Sequence, residues 1–284
     1  KVMVEFVSAN PTGPMHMGNA RGGALGDCLA AVLDKAGYNA WREFYVNDAG
    51  NQIEKFGCSL EARYLQIFKG DEIEFPEDGY QGEDIKDLAK EYADLNGDSL
   101  VNVSAEERKK ALVDYALPKN IKKMQADMEK YKIFYDKWFF ESELHKSGAV
   151  NAVVDLLTKK GLTYEKDGAV WYKNKEVLTQ KLLKEGKSQK YIDNLELKDD
   201  VLIRQNGNPT YFTADIAYHK NKFDRGFTTL IDVWGADHHG HVMRMKGAMD
   251  AIGYDGDKLN VVLMQLVKLV TVSYTHLTLP TNSL

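Results

Sequence analysis

Cysteine is nearly absent from this 284-residue chain: only Cys28 and Cys58 occur, both inside segments of helical periodicity. Two thiols so placed exclude a disulfide-stapled scaffold and suit a reducing compartment. Long apolar runs are missing as well. None approaches the ~20 residues that a membrane span needs, and no signal peptide is expected. Positive charge is not in excess: acidic residues outnumber basic ones 42 to 37, a net charge of −5. A global electrostatic footprint for nucleic acid is therefore excluded, and any such contact must use local basic patches. Internal repeats are lacking, which excludes a solenoid. The length suits one large domain or one domain with an insertion, expected to be soluble and cytoplasmic. Its opening on Lys1 and an immediate core strand leads us to expect a fragment of a longer protein.

Along the chain, apolar Val2–Val7 predicts a buried strand, Asn19–Ala36 a helix closed by Gly37, and Ala40–Val46 a second strand. Asn47 to Gln52 supplies Asn and Asp that can cap a helix running to Phe68. This β-α-β-α beginning favours a parallel sheet. From Gly70 to Leu117 the chain is polar and rich in turns and helical pattern, with a capping-box sequence at Ser104–Glu107, and reads as a surface insertion. Basic, amphipathic Pro118–Tyr131 and aromatic Phe134–Phe140 follow, then a helix over Ser147–Lys160. Leu162–Tyr172 predicts a hairpin turning at Asp167-Gly168. Residues 173–198 read as a solvated helix, and the core pattern resumes at Asp200–Arg204. Thr228–Trp234 is a strand, Gly235–His241 a polar turn, Val242–Ile252 a helix and Asn260–Leu266 the last strand. Val270–Leu284 contains no Lys, Arg, Asp or Glu and reads as a tail foreign to the fold.

The most informative stretch joins the first strand to the first helix: Ser8-Ala9-Asn10-Pro11-Thr12-Gly13-Pro14-Met15-His16-Met17-Gly18-Asn19-Ala20-Arg21. Strand, Pro/Gly turn and helix together place an anion on a helix N-terminus, where unpaired N–H groups and the dipole attract it. Gly13 and Pro14 sharpen the bend, Gly18 removes a Cβ where a ring or backbone comes close, and His16 and Asn19 can donate to phosphate oxygens. Taken alone, a Gly-rich turn is equally a tight connection. His238, His239 and His241 invite a zinc reading, but they lack the usual two-turn helical pair and a clear fourth ligand.

The full stretch resembles the first ATP-binding motif of class I aminoacyl-tRNA synthetases in its arginyl form, with Asn19 where the His-x-Gly-His element ends in His. Three more segments are similar to that family in the same order: Tyr211-x-x-x-Asp215-Ile216-Ala217, Trp234-Gly235-Ala236-Asp237-His238-His239-Gly240-His241, and the strand Val262–Val267. The resemblance implies a doubly wound parallel, Rossmann-like α/β nucleotide-binding sheet over residues 1–268 with a mainly helical insertion at about 70–117. It assigns Glu5, Ser8, Asn10, Tyr211, Asp215 and His238 to an arginine pocket. ATP falls to Pro11, Gly13, His16, Gly18 and Asn19, with Gly235 and Asp237 at the ribose and Met264 and Val267 at adenine. His16 and Asn19 are the expected catalytic donors.

The implied reaction attaches L-arginine to tRNA(Arg) through an arginyl-adenylate, with ATP and Mg²⁺ as substrate, no tightly bound cofactor, and a monomeric enzyme. No Lys-Met-Ser-Lys loop follows Lys268, and neither an N-terminal module nor an anticodon-binding domain is recognised. The expectation is therefore a truncated catalytic core of low activity. Two rivals remain: another class I synthetase or adenylyltransferase, and a non-catalytic tRNA-binding fragment.

Overall fold

The computed structural model describes residues 1–70, 72–265 and 267; the tail expected over 269–284 lies outside them. Strand β1 (Val2–Glu5) leads into helix α1 (Met17–Lys35) and strand β2 (Ala40–Val46). Gly26 lets α1 lie close on the sheet, since a Cβ there would stand 2.1 Å from the Phe6 ring. Helices α2 (Asn51–Lys69), α3 (Glu83–Asn96) and α4 (Ala105–Lys130) then form an excursion with its own core of Phe56, Leu60, Tyr64, Ile85, Ala89 and Leu112. The cap expected from Asn47 or Asp48 is not used: Gly50 is the N-cap of α2, and Asp48 instead accepts from the Ser142 backbone N–H at 2.8 Å.

Helix α4 runs unbroken through Pro118, so residue 117 is not an element boundary. A proline inside a helix costs about 3 kcal/mol. Burial on both sides of Pro118 offsets it: Leu112 and Ala116 enter the helical core, Met124 and Met128 the sheet's. Of the capping box expected at Ser104–Glu107 the Ser104 half forms, its hydroxyl accepting from Glu107 N–H at 3.2 Å.

Strand β3 (Lys137–Phe140) returns to the sheet, followed by helices α5 (Glu141–Lys146) and α6 (Ala149–Lys159). The expected hairpin forms as β4 (Thr163–Lys166) and β5 (Ala169–Tyr172), with φ of 53° at Asp167 and 73° at Gly168. Helices α7 (Asn174–Lys184) and α8 (Gln189–Asp193) occupy the stretch expected to be solvated, but Leu178, Leu182 and Ile192 are buried. Strand β6 (Asp200–Ile203) stands where the core pattern resumes, with Leu202 buried in the main core, and it pairs antiparallel with β5 in a second sheet ordered β4-β5-β6.

Helix α9 (Tyr211–Asp224), strand β7 (Thr229–Gly235), helix α10 (His239–Ile252) and strand β8 (Leu259–Met264) complete the described chain. The main sheet has the order β3-β2-β1-β7-β8, and every neighbouring pair is parallel. One face packs Met3, Tyr45, Phe139 and Leu230 against Leu157, Tyr218 and Met249; the other packs Val4, Phe6 and Phe44 against Ala30, Met124 and Met128. Strand order reverses between β1 and β7, and ligands of such sheets bind at the carboxyl ends of the strands flanking that point. The turn after β1 and the turn after β7 both lie there.

Candidate active site

The turn after β1 is built under strain. Val7 and Ser8 adopt φ of 71° and 43°, a region that β-branched Val rarely enters. Contacts from β2, from α4 and from the connection between α4 and β3 hold the bend. Ser8 Oγ donates to Glu5 Oε1 at 2.8 Å and accepts from the Tyr45 N–H at 3.1 Å; the Tyr135 hydroxyl donates to Phe6 O at 3.1 Å. Asn120, buried on α4, donates to Pro11 O at 2.9 Å. The helical excursion therefore holds the signature turn directly. Pro11 is buried, Gly13 half-buried and Asn10 exposed.

His16 and Asn19 cap α1 reciprocally. Asn19 Oδ1 accepts from His16 N–H at 2.9 Å, and His16 Nδ1 accepts from Gly18 N–H at 3.1 Å. A Cβ on Gly18 would lie 2.9 Å from the His16 ring, so the close neighbour that this glycine admits is its own capping imidazole. Because Nδ1 accepts, the neutral ring of exposed His16 carries its proton on Nε2, where it serves a ligand. The Asn19 amide nitrogen is likewise a donor. With no acidic residue in the first turn of α1, both act beside the positive end of the helix dipole.

Beneath this turn three acids stand in register across the sheet, Glu43 on β2, Glu5 on β1 and Asp232 on β7. Like charges opposite one another destabilise a sheet. Helix α9 and its C-cap answer them at three-residue intervals with His219 and Lys222 on the helix and Arg225 at the cap. Lys222 Nζ lies 2.5 Å from Glu5 and 2.9 Å from both Asp232 oxygens; Arg225 grips both Glu43 oxygens. His219 bonds Asp232 through Nε2 at 2.7 Å and the Asp215 carbonyl through Nδ1 at 2.8 Å. Burial raises the Glu5 carboxyl, opposed by the Lys222 ammonium. Burial would also raise Asp232 and Glu43, but Lys222 and His219 hold the first below its ordinary value and Arg225 the second. Glu5, expected in the arginine pocket, has its charge met inside the protein.

An uncompensated acidic pair lies elsewhere at the same sheet edge. Asp215, half-buried on α9, accepts from His241 Nε2 at 3.0 Å. Buried Glu141, just beyond the end of β3, accepts from the Tyr45 hydroxyl at 2.7 Å and contacts His145 at 3.3 Å. Burial pushes the Glu141 carboxyl up, and the charge of Asp215 adds to that rise. Among the described residues, no Lys or Arg bonds either carboxylate. Such a pair invites a cationic ligand. Tyr211, one helical turn before Asp215, is 67% exposed.

The turn after β7 differs from the expected polar loop. Ala236–His238 is a 3₁₀ turn that includes Asp237, and α10 begins at His239. Gly235 registers with Met264 at the ends of β7 and β8. Met264 Sδ stands 3.6 Å from where a Cβ of Gly22 would be, so β8 and α1 meet there; Val267 follows, half-buried. His238 is exposed, with its ring 6.1 Å from Trp234 and 6.4 Å from His241. Buried His241 turns inward to Asp215.

Sequence reasoning missed Glu141, His219 and Lys222 as members of this region, and it placed His241 in the turn after β7 without its bond to Asp215. A signal for Glu141 was present: it is an acid directly after an aromatic strand, at the carboxyl edge. Lys222 and His219 were marked only by lying on the otherwise apolar face of α9 with Phe212 and Ile216.

The family described as "tRNA synthetases class I (R), catalytic domain" matches residues 1–268. Arginine–tRNA ligase of Ruminiclostridium cellulolyticum is 59% identical over 271 residues, and that of Caldanaerobacter subterraneus 60%. Each alignment covers 95% of this chain and 45% of the relative, so the chain spans under half the length of the curated relatives it matches. A crystal structure described as an arginyl-tRNA synthetase of Campylobacter jejuni superposes with a TM-score of 0.78 at 38% identity, covering 93% of this chain and 54% of that one. The Thermus thermophilus arginyl-tRNA synthetase, 20% identical with a TM-score of 0.64, covering 93% of this chain and 48% of that one, shares the fold. With the parallel sheet, the capped turn and the motif order already in place, the chain belongs to the class I arginyl-tRNA synthetase catalytic-domain family.

Proposed function

We propose that this site activates L-arginine with ATP and that the full-length protein passes the arginyl group to tRNA(Arg). The observation that carries the reading is the Asp215–Glu141 pair, two carboxylates that no Lys or Arg among the described residues neutralises, at the sheet edge that also holds the His16 turn. A guanidinium pairs with carboxylates through its planar fork of donors. Tyr211 covers the side chain; Ser8 and Asn10 lie on the chain leaving β1, and His238 after β7, all near the amino-acid end. Glu5 acts through Ser8, holding the turn.

The arginine carboxylate oxygen attacks the α-phosphorus of ATP, the bond to the bridging β-phosphate oxygen breaks, and pyrophosphate leaves. No side-chain nucleophile takes part. His16 Nε2–H, the Asn19 amide and the N-terminus of α1 offset negative charge growing on the phosphates, and Mg²⁺ enters with ATP. Pro11, Gly13 and Gly18 shape that cradle; Gly235 and Asp237 lie at the ribose, Met264 and Val267 at adenine. A ribose hydroxyl of the tRNA then attacks the adenylate carbonyl, loses its proton, and releases AMP. We assign this activity to the cytoplasm and to a monomer.

The test is amino-acid-dependent ATP–pyrophosphate exchange by the full-length protein in the presence of tRNA(Arg). Exchange with arginine and not with lysine or cysteine is expected. Exchange with another amino acid identifies a different synthetase, and tRNA binding without exchange identifies a non-catalytic fragment. The 284-residue chain alone is expected to bind ATP weakly and to charge no tRNA; robust charging would overturn that.

A further inference from the structure

Two histidines bond to Asp215, and their other partners impose opposite protonation on them. His219 meets the Asp215 carbonyl and the Asp232 carboxylate, both of which only accept, so both ring nitrogens carry protons. His241 is different. Its Nδ1 lies 2.9 Å from Nη2 of Arg244, one turn further along α10. A guanidinium has donors and no acceptor, so Nδ1 must offer its lone pair. The ring is then neutral, its single proton sits on Nε2, and that proton goes to Asp215 Oδ2 at 3.0 Å. Arg244 is itself anchored, with Nη1 2.6 Å from Asp200 Oδ1 on β6 and its guanidinium 5.3 Å from the Phe212 ring centroid.

The consequence is electrostatic. Had His241 been an imidazolium, Asp215 would already hold a cation and its charge would be spent. Arg244 prevents this by occupying Nδ1 and by placing a permanent positive charge where a second proton would go. Asp215 therefore receives a neutral hydrogen bond that orients it and does not discharge it. Resting on the reading of Asp215 as the arginine-binding acid, we propose that Arg244 is a positioning residue that keeps His241 neutral, so that Asp215 presents its full negative charge to a cationic side chain. The groups facing His241 are Asp215 on α9, Arg244 on its own helix, Asp200 on β6 and His238 in the preceding 3₁₀ turn, with the rings of Phe212 and Trp234 beside it.

The experiment uses the full-length protein, with R244M, H241Q and the double variant R244M/H241Q. Nitrogen-15 NMR of the histidine rings reads the protonation state without any ligand, and calorimetry reads L-arginine binding at pH 5.5 and pH 8. Wild-type His241 is expected to remain the Nε2–H tautomer across this range, while R244M lets it take a second proton as pH falls. The ratio of R244M to wild-type dissociation constants for arginine should then rise at least about tenfold from pH 8 to pH 5.5, because an opposite charge within 4–6 Å is worth ~1–3 pKa units. Using the ratio cancels titration of Glu141. The double variant, whose amide side chain in place of the imidazole cannot become cationic, should lose that rise when referred to H241Q. R244Q, also uncharged, replaces R244M if thermal melting shows the latter unfolded. A wild-type His241 that becomes an imidazolium in this range, or an R244M ring that titrates as wild type does, overturns the proposal. The tautomer as expected with no arginine binding by the wild-type protein refutes the arginine-pocket reading instead, and with it the stated purpose of Arg244.

Discussion

Lys222 and Glu5 are 217 residues apart in sequence and 2.5 Å apart in space, and the same ammonium bonds Asp232. All three side chains are buried. Replacing Lys222 with Met leaves Glu5 beside Asp232 with no cation bonded to it, since His219 reaches only Asp232, and breaking a buried pair this way costs about 3–5 kcal/mol. Urea unfolding of the 284-residue chain should show that loss. A change under about 1 kcal/mol would mean that the carboxylates share a proton and do not need the lysine.

The Glu43–Arg225 pair sets an acid limit on stability. Burial pushes the Glu43 carboxyl up, but the Arg225 bonds and charge, with the Trp41 indole, hold it below the ordinary range. A carboxyl lowered in the folded state stabilises above its unfolded value, ~4.3 for glutamate, and that contribution disappears as pH falls through the folded one. The stability difference between wild type and E43Q should be largest near neutral pH and shrink in acid below ~4.3. Thermal melts across pH 3–7 check this; a constant difference would place the effect in shape, not charge.

Asp215→Asn in the full-length protein should weaken arginine far more than ATP. Removing one member of a desolvated charge pair costs about 2–5 kcal/mol, roughly 30-fold or more in affinity. Steady-state exchange with each substrate varied separately measures both. Equal losses for arginine and ATP would make Asp215 a structural residue.

Glu141 predicts a pH effect of its own. Burial raises its carboxyl, so acid returns a proton to it earlier than to an ordinary glutamate. Arginine, whose guanidinium keeps its charge throughout, favours the ionised form. Arginine affinity should therefore fall on acidification, starting above the ordinary value of ~4.3, and E141Q should bind weakly with a flatter profile. Calorimetry from pH 5 to 8 reads both; an E141Q profile as steep as wild type would rule out Glu141.

His16→Ala should act on phosphate chemistry. Losing one well-placed donor to developing charge costs ~10²–10³-fold in turnover. Exchange by the full-length variant should drop by about that factor with the arginine dissociation constant unchanged. A variant that loses arginine binding equally has lost the turn, not the donor.

Local patterns were legible from the residues alone because their physics is local. A Pro/Gly turn between an apolar strand and an Ala-rich helix needs no distant partner to be recognised, and the parallel strands at the sheet centre stand where the apolar runs predicted them. Where patterns are ambiguous, the third dimension decided. Apolar Val201-Leu202-Ile203 reads as core, and Leu202 is buried there, but which strand it joins is decided by its antiparallel pairing with β5. Pro118 reads as a helix boundary until packing on both sides carries α4 through it. Charge is the sharpest case. Sequence supplied Glu5 and Asp215 as equivalent acids, yet α9 brings Lys222 to the first, while an imidazole, that of His241, lies against the second. Whether a carboxylate is spent or available depends on what stands within a few ångströms of it, and folding alone sets those distances.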